Sequence, residues 1–203
     1  MEKSMRYLVR LANNKGYLPK DVKMMQEKIR ELLGSEDKIG NLRISSSAIE
    51  FDLFAEPPDL KRPKALLETM ISPLLTLRSI DSRATPRRVH ESLREGIDLF
   101  NQERFWEAHE VLEEIWHPAT GVDRDLIQGI ILTAAAFVHY QKNENTVCLS
   151  ILARALPKLG TINNFKGLDT KRLRAVIEQI IKDHMPRLIR IEWAKAKNAP
   201  ESL

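Results

Sequence analysis

The sequence predicts an α+β protein, in which a ferredoxin-like βαββαβ domain is followed by an all-α bundle of about six helices. Two observations support this class. Before residue 80, four short stretches alternate apolar and polar residues, and two stretches between them repeat apolar residues at helical spacing. After residue 85 only the helical spacing remains. We therefore predict two domains, 1–82 and 83–203, joined at the arginine-rich segment 83–88.

The first domain begins with a strand and a helix. Residues 5–11 place Met, Tyr, Val and Leu at alternate positions, which predicts a strand with one buried face. Pro19 can open a helix, and apolar residues recur at helical spacing from there to Gly34, a common C-terminal cap. A second helix over 63–71 and a short strand over 75–78 complete the pattern.

The middle of this domain predicts a β-hairpin over residues 39–54, with three serines at its turn. Its second strand exposes Glu50 and Asp52 on the face opposite to its apolar residues. In the usual strand order of this fold the first and third strands are neighbours, so Arg6 and Arg10 should neutralise these carboxylates. An RNA-binding sheet of this topology presents aromatic and basic groups instead. Nucleic-acid binding by this face is therefore disfavoured.

The second domain contains six stretches with helical periodicity, separated by short polar or Gly/Pro breaks. They cover residues 86–101, 104–117, 123–141, 145–159, 170–184 and 186–197. Short connections favour antiparallel packing of consecutive helices.

A weak internal repeat of period 40 relates two of the predicted helical hairpins, which look like tetratricopeptide hairpins. The aligned pairs are Phe100 with Tyr140, Ala108 with Cys148, Leu112 with Leu152 and Ile115 with Ala155. Small and apolar residues at these positions allow two helices to pack closely. His109 and Glu113 break the match because they align with apolar residues of the second hairpin.

The densest group of polar residues lies on the second helix of the first hairpin. His109 and Glu113 are four residues apart and therefore share one helix face, with Glu110 at its border. An antiparallel neighbour could bring His139 to the same place. Such a set could hold one divalent ion, Zn, Fe or Mn, or act in acid–base catalysis with Glu110 as the nearest spare carboxylate. A structural His–Glu hydrogen bond is the third interpretation.

Three further residues are candidates for the rim of this site. Arg124 and Gln128 lie in the first turns of the following helix, and Trp116 lies at the end of the helix that carries His109. A core position is the alternative for Trp116.

These residues form a pattern that resembles a known family. The matching positions are Phe105, Glu107-Ala108-His109-Glu110, Leu112-Glu113, Trp116, Gly121, Arg124-Asp125, Gln128-Gly129 and His139. In order and spacing they are similar to the helical domain-of-unknown-function family 309, over residues 88–160 approximately. The resemblance implies an all-helical bundle with a shared polar site at His109, Glu113 and His139, and it supplies no function.

Composition limits the classes of function. The 203 residues carry a formal net charge of only +4, too mild for a dedicated nucleic-acid binder. The longest nearly apolar run, 127–138, is too short to span a bilayer. Cys148 is the single cysteine, which excludes an internal disulfide and predicts a cytoplasmic location.

The sequence leaves three functions open. The first is a metal-dependent or acid–base enzyme that acts on a small molecule at the His/Glu site. The second is a non-enzymatic scaffold, which would bind another protein or a second copy of itself. The third is a weak nucleic-acid binder that uses the basic C-terminal segment 166–197.

Overall fold

A computed structural model describes residues 5–34, 39–55, 60–79 and 89–194. The chain divides into two compact units. The first consists of residues 1–85 and 138–144, and the second of residues 86–137 and 145–203. The predicted linker, 83–88, lies outside the described residues, so a domain boundary at this segment stays a prediction.

The first unit is a four-stranded antiparallel sheet with two helices, as predicted. Its elements are β1 (Met5–Ala12), α1 (Val22–Leu33), β2 (Ile39–Ile44), β3 (Ala48–Ala55), α2 (Lys61–Met70) and β4 (Leu74–Ser79). The strand order is β2-β3-β1-β4, so β1 and β3 are the central pair. This is the order of a ferredoxin-like sheet.

The core of the first unit forms between one sheet face and the two helices. Alternate residues of the central strands, among them Val9, Phe51 and Leu53, are buried there with Met25 and Ile29 of α1. Alternation in a strand sends the intervening residues to the other face. Arg6, Arg10, Glu50 and Asp52 therefore share the face opposite to this core.

A bulge interrupts β2. Its pairing with β3 shifts register between Gly40 and Arg43. Asn41 lies inside this shift, with a φ of 50°, in the left-handed region that non-glycine residues rarely adopt. The bulge thus fixes the position of one strained polar residue at an edge of the sheet.

The second unit is helical. Its helices are α3 (Val89–Asn101), α4 (Phe105–Trp116), α5 (Gly121–Gln141), α6 (Asn145–Leu159) and α7 (Thr170–Asp183). The end of α5, residues 138–141, groups with the first unit. Phe100, Phe105 and Phe137 meet edge to face or tilted in its core. The predicted α+β class, a sheet followed by a helical bundle, is confirmed.

The prediction of a last helix over residues 186–197 is wrong for the residues that the structure describes. Residues 186–194 are not helical. His184 ends α7 in the left-handed conformation, and Pro186, two residues later, cannot continue that helix. The segment then runs alongside other parts of the unit. Ile191 exchanges backbone hydrogen bonds with the Asn101 side chain, and Trp193 bridges Leu168. Tertiary partners satisfy the backbone groups that a helix would have paired.

The period-40 repeat appears in the backbone as two equal turns. Glu103 and Asn143, 40 residues apart, have φ values of 60° and 62°. The amide of Arg104 donates to the Leu99 carbonyl at 3.0 Å, and the amide of Glu144 donates to the His139 carbonyl at 2.9 Å. Both bonds are typical of an α-helix that ends at a residue in the left-handed conformation.

No helix in the described residues is both long enough and apolar enough to cross a membrane.

Candidate functional site

Helix α4 carries the predicted site. Its buried side consists of Phe105, Ala108, Leu112 and Ile115, at helical spacing. Along the edge of that side run residues at intervals of three and four, which we call the α4 stripe: Trp106, His109, Glu113 and Trp116. Helix geometry places them in a single row about 15 Å long. The helical period that buries one side of α4 thus also aligns the candidate residues.

His109 is the centre of the stripe. Its ring stacks on Trp106, with centroids 5.7 Å apart and planes inclined by 8°. Its Nδ1 lies 3.8 Å from Oε2 of Glu113, beyond hydrogen-bond distance. That nitrogen is shielded from solvent and has no hydrogen-bond partner among the residues that the structure describes. His109 and Glu113 therefore lie next to each other, as predicted, but no hydrogen bond joins them.

Trp116 and Arg124 meet at the far end of the stripe. The Arg124 guanidinium lies 4.1 Å from the Trp116 ring centroid. Its Nη1 also donates to the carbonyls of Trp116, His117 and Ala119, at 3.2–3.4 Å. These contacts satisfy the carbonyls at and just after the C-terminus of α4. The indole Nε1 of Trp116 is buried and lacks a hydrogen-bond partner in the described chain. Arg124 thus positions Trp116, in addition to any role at the rim.

Glu110 and Gln128 are half-buried, on α4 and α5 respectively. Their proposed roles, as a spare base and as a rim residue, stay predictions.

His139 has a partner of its own. Its Nδ1 makes a short contact with Oε2 of Glu144, so it closes the turn that follows α5. Within the described ranges, no group of three or more His, Cys, Asp or Glu side chains could hold a metal ion. The structure pairs His109 with Glu113 and His139 with Glu144. Metal binding by His109, Glu113 and His139 stays a prediction.

The polar face of the sheet confirms the predicted neutralisation. Arg6 bonds Asp52 at 2.7 Å, and Arg10 contacts Glu50 at 3.0 Å. Both carboxylates are almost completely buried. Arg43 of β2 joins them, 3.5 Å from Glu50. These arginines are engaged with carboxylates, which is unfavourable for phosphate binding by this face.

Sequence reasoning missed Arg43, Asn41 and Lys142. Arg43 could have been found, because counting back from the serine turn of the hairpin sets it opposite Glu50. Asn41 and Lys142 carry no such signal. Their contact, at 3.1 Å, joins residues that are 101 positions apart.

The family model that matches this chain covers residues of its helical part. A family model described as "Domain of unknown function (DUF309)" matches residues 93–150. The crystal structure of a conserved hypothetical protein from Thermus thermophilus is similar to this chain, with 34% identity over 44% of this chain and 94% of that one, at a TM-score of 0.39. The chain belongs to the DUF309 family. Comparison with proteins of curated function gave no match.

The DUF309 match runs from α3 into α6 and includes the whole α4 stripe. The predicted resemblance is thereby confirmed. The match leaves residues 1–92 outside, so the sheet lies beyond the part that DUF309 describes.

Proposed function

We propose that the second unit binds a small polar molecule at the α4 stripe, and that His109 and Glu113 act on it as an acid–base pair. The observation that carries this proposal is the buried His109 Nδ1 without a hydrogen-bond partner among the described residues. An unmade hydrogen bond at a buried polar atom costs about 1–3 kcal/mol, and such atoms call for a specific explanation. A site in which Glu113 moves onto this nitrogen when a molecule binds is one such explanation.

The geometry suggests how the pair would work. A small rotation would close the 3.8 Å gap, so that Glu113 accepts the proton on Nδ1 of His109. The other ring nitrogen, Nε2, would then be the free proton acceptor. Glu113 would act as a positioning residue that fixes the tautomer of His109.

Trp116 limits the class of ligand. Its indole N–H can only donate, and it lies seven residues from His109, about 10 Å along the helix axis. A molecule that gives a proton to Nε2 of His109 and accepts a hydrogen bond from Trp116 would satisfy the buried indole, while Glu113 satisfies Nδ1 of His109. This supports a compact ligand with a donor at one end and an acceptor at the other.

The test is a thermal-shift screen of small polar metabolites on the full chain, with metal analysis of the purified protein. We expect a stabilising compound whose effect is lost in His109→Gln and reduced in Glu113→Gln. His90→Gln, an exposed histidine on α3, is the matched control and should respond like the unaltered protein.

Three outcomes would contradict the acid–base proposal. If His109→Gln responds to the compound like the unaltered protein, the compound does not bind at the α4 stripe. About one equivalent of Zn, Fe or Mn, lost in the same variant, would support the metal site instead. In a purely structural pair, no compound would act, and Glu113→Ala would lower the free energy of unfolding by about 1–3 kcal/mol, because truncation leaves His109 without an acceptor.

A scaffold function is the second candidate, favoured by the two equal helix-capping turns at Glu103 and Asn143. Repeated hairpins build extended surfaces that bind other proteins. Light scattering across a concentration series would test for a second copy of the chain as the partner. We place either function in the cytoplasm, because the single cysteine, Cys148, is a free, buried thiol.

A further inference from the structure

A cavity of about 270 Å³ lies in the first unit, and none of its lining residues belongs to the α4 stripe. Its lining residues come from the first turns of α1, the bulge of β2 and the turn after α5: Val22, Lys23, Gln26, Asn41, Leu42, Lys142 and Glu144. A volume of this size suits a compact small molecule, since pockets for drug-sized ligands begin at about 300 Å³.

The amide of Asn41 is held from two sides. Its Nδ2 donates to Oδ2 of Asp52 at 2.7 Å, and its Oδ1 accepts from Nζ of Lys142 at 3.1 Å. Asp52 is itself fixed by Arg6, at 2.7 Å. Because Asp52 takes the amide nitrogen, the amide oxygen must face Lys142. A chain of contacts from the sheet thus positions the Lys142 ammonium in the cavity wall.

The carboxylates near the cavity already have partners. Glu144 is engaged by His139, and Asp52 by Arg6 and Asn41. Lys23 and Lys142 line the same cavity, and Arg43 contributes further positive charge. Partial burial lowers the pKa of Lys142, Glu144 opposes this, Arg43 adds to the lowering, and Asp52 opposes it. Because the pKa is lowered in spite of Glu144 and Asp52, the half-buried ammonium is incompletely compensated by its surroundings.

We infer that this cavity binds a small oxyanion, the carboxylate or phosphate group of a compact molecule, between Lys142 and Lys23. The strained backbone of Asn41 supports a built site. A left-handed asparagine costs free energy that a glycine would avoid, and such residues concentrate at functional sites. Glycine at this position would keep the bulge and lose the amide that holds Lys142.

The experiment uses the full chain and two probes, inorganic phosphate and acetate, at constant ionic strength set with chloride. Binding is followed by chemical-shift changes of the Asn41 side-chain amide and of the Val22 to Gln26 backbone amides. We expect saturation with at least one probe. Lys142→Gln should weaken binding by about tenfold or more, because it removes a charge-assisted hydrogen bond.

Matched variants separate this site from nonspecific charge. Lys158→Gln removes a lysine that pairs with Asp125 outside the cavity and should leave the affinity unchanged. Asn41→Gly should stay folded, since glycine suits the φ of 50°, yet bind more weakly. Saturation by phosphate alone would identify a phosphate-bearing ligand, and saturation by acetate alone a carboxylate.

Two results would overturn the inference. One is the absence of saturation with both probes while the protein is folded. The other is an equal loss in Lys142→Gln and Lys158→Gln, which would indicate a general charge effect. The site is independent of the α4 stripe, so neither result bears on the acid–base proposal.

Discussion

The turn between α3 and α4 and the turn after α5 have the same backbone conformation, but their side chains differ in chemistry. Both place a left-handed residue 40 positions apart and close the same hydrogen bond. In the first turn the carbonyl that accepts this bond belongs to buried Leu99, and in the second it belongs to half-exposed His139.

The charged residues of the two turns are also used differently. Arg104 follows the first turn and pairs forward with Glu107 of α4, at 2.6 Å. Glu144, its equivalent, pairs backward with His139. A turn that ends one helix and starts the next needs a particular backbone conformation. The side chains on that backbone can differ between the two turns. The first hairpin uses this freedom for the α4 stripe, and the turn of the second carries Lys142, which contacts Asn41.

The largest difference should appear between Leu99→Ala and His139→Ala. Leu99 is 7% exposed, so truncation leaves a cavity and should lower the free energy of unfolding by about 2–5 kcal/mol. His139 is half-exposed and contacts Glu144 at the surface, so its truncation should cost less than about 1 kcal/mol. Chemical denaturation of both variants measures this. Equal losses would show that His139 has a structural weight that its exposure does not indicate.

A smaller difference should separate two glycines at close helix contacts. A Cβ on Gly96 would lie 2.7 Å from the side chain of buried Leu112, which can move if the core around it repacks. A Cβ on Gly129 would lie 2.9 Å from the backbone nitrogen of Leu159, which cannot. Gly129→Ala should therefore destabilise the protein by about 1–3 kcal/mol, and Gly96→Ala by less. Thermal unfolding gives the order, and the reverse order would be incompatible with this packing.

The smallest effect concerns Cys148, which aligns with Ala108 in the repeat. Cys148→Ala should cost about 0.5–1.5 kcal/mol, since a single buried atom is removed. Burial raises the pKa of the Cys148 thiol from 9.0 to about 12. At pH 8 only about one thiol in ten thousand is ionised, so a disulfide reagent should react at the rate of unfolding. Fast labelling of the folded protein would contradict this burial.

The same thiol gives a pH dependence with a definite sign. Above pH 9 the unfolded thiol loses its proton while the folded thiol keeps it. The free energy of unfolding should therefore fall as the pH rises from 9 toward 12. Cys148→Ala has no thiol and lacks this pH dependence. The difference in the free energy of unfolding between the unaltered protein and Cys148→Ala should therefore become smaller from pH 9 toward pH 12.

Much of the fold could be predicted from local patterns. Alternation assigned the strands, and helical spacing assigned the helices up to His184. The segment after Pro186 could not be predicted this way. Its apolar spacing suits a helix, but its backbone bonds to Asn101 and Gly167 come from residues distant in the chain. The Arg6–Asp52 and Arg10–Glu50 contacts were predictable because strand order and register determine them.

The sequence by itself determined that His109 and Glu113 share a helix face, since four residues make about one turn. Only the tertiary structure decided that Lys142 meets Asn41 and that Ile191 meets Asn101, pairs that are 101 and 90 positions apart in the chain. Periodicity specifies the direction of a side chain relative to its own helix or strand. The partner it meets depends on how distant segments pack, and no local pattern records that.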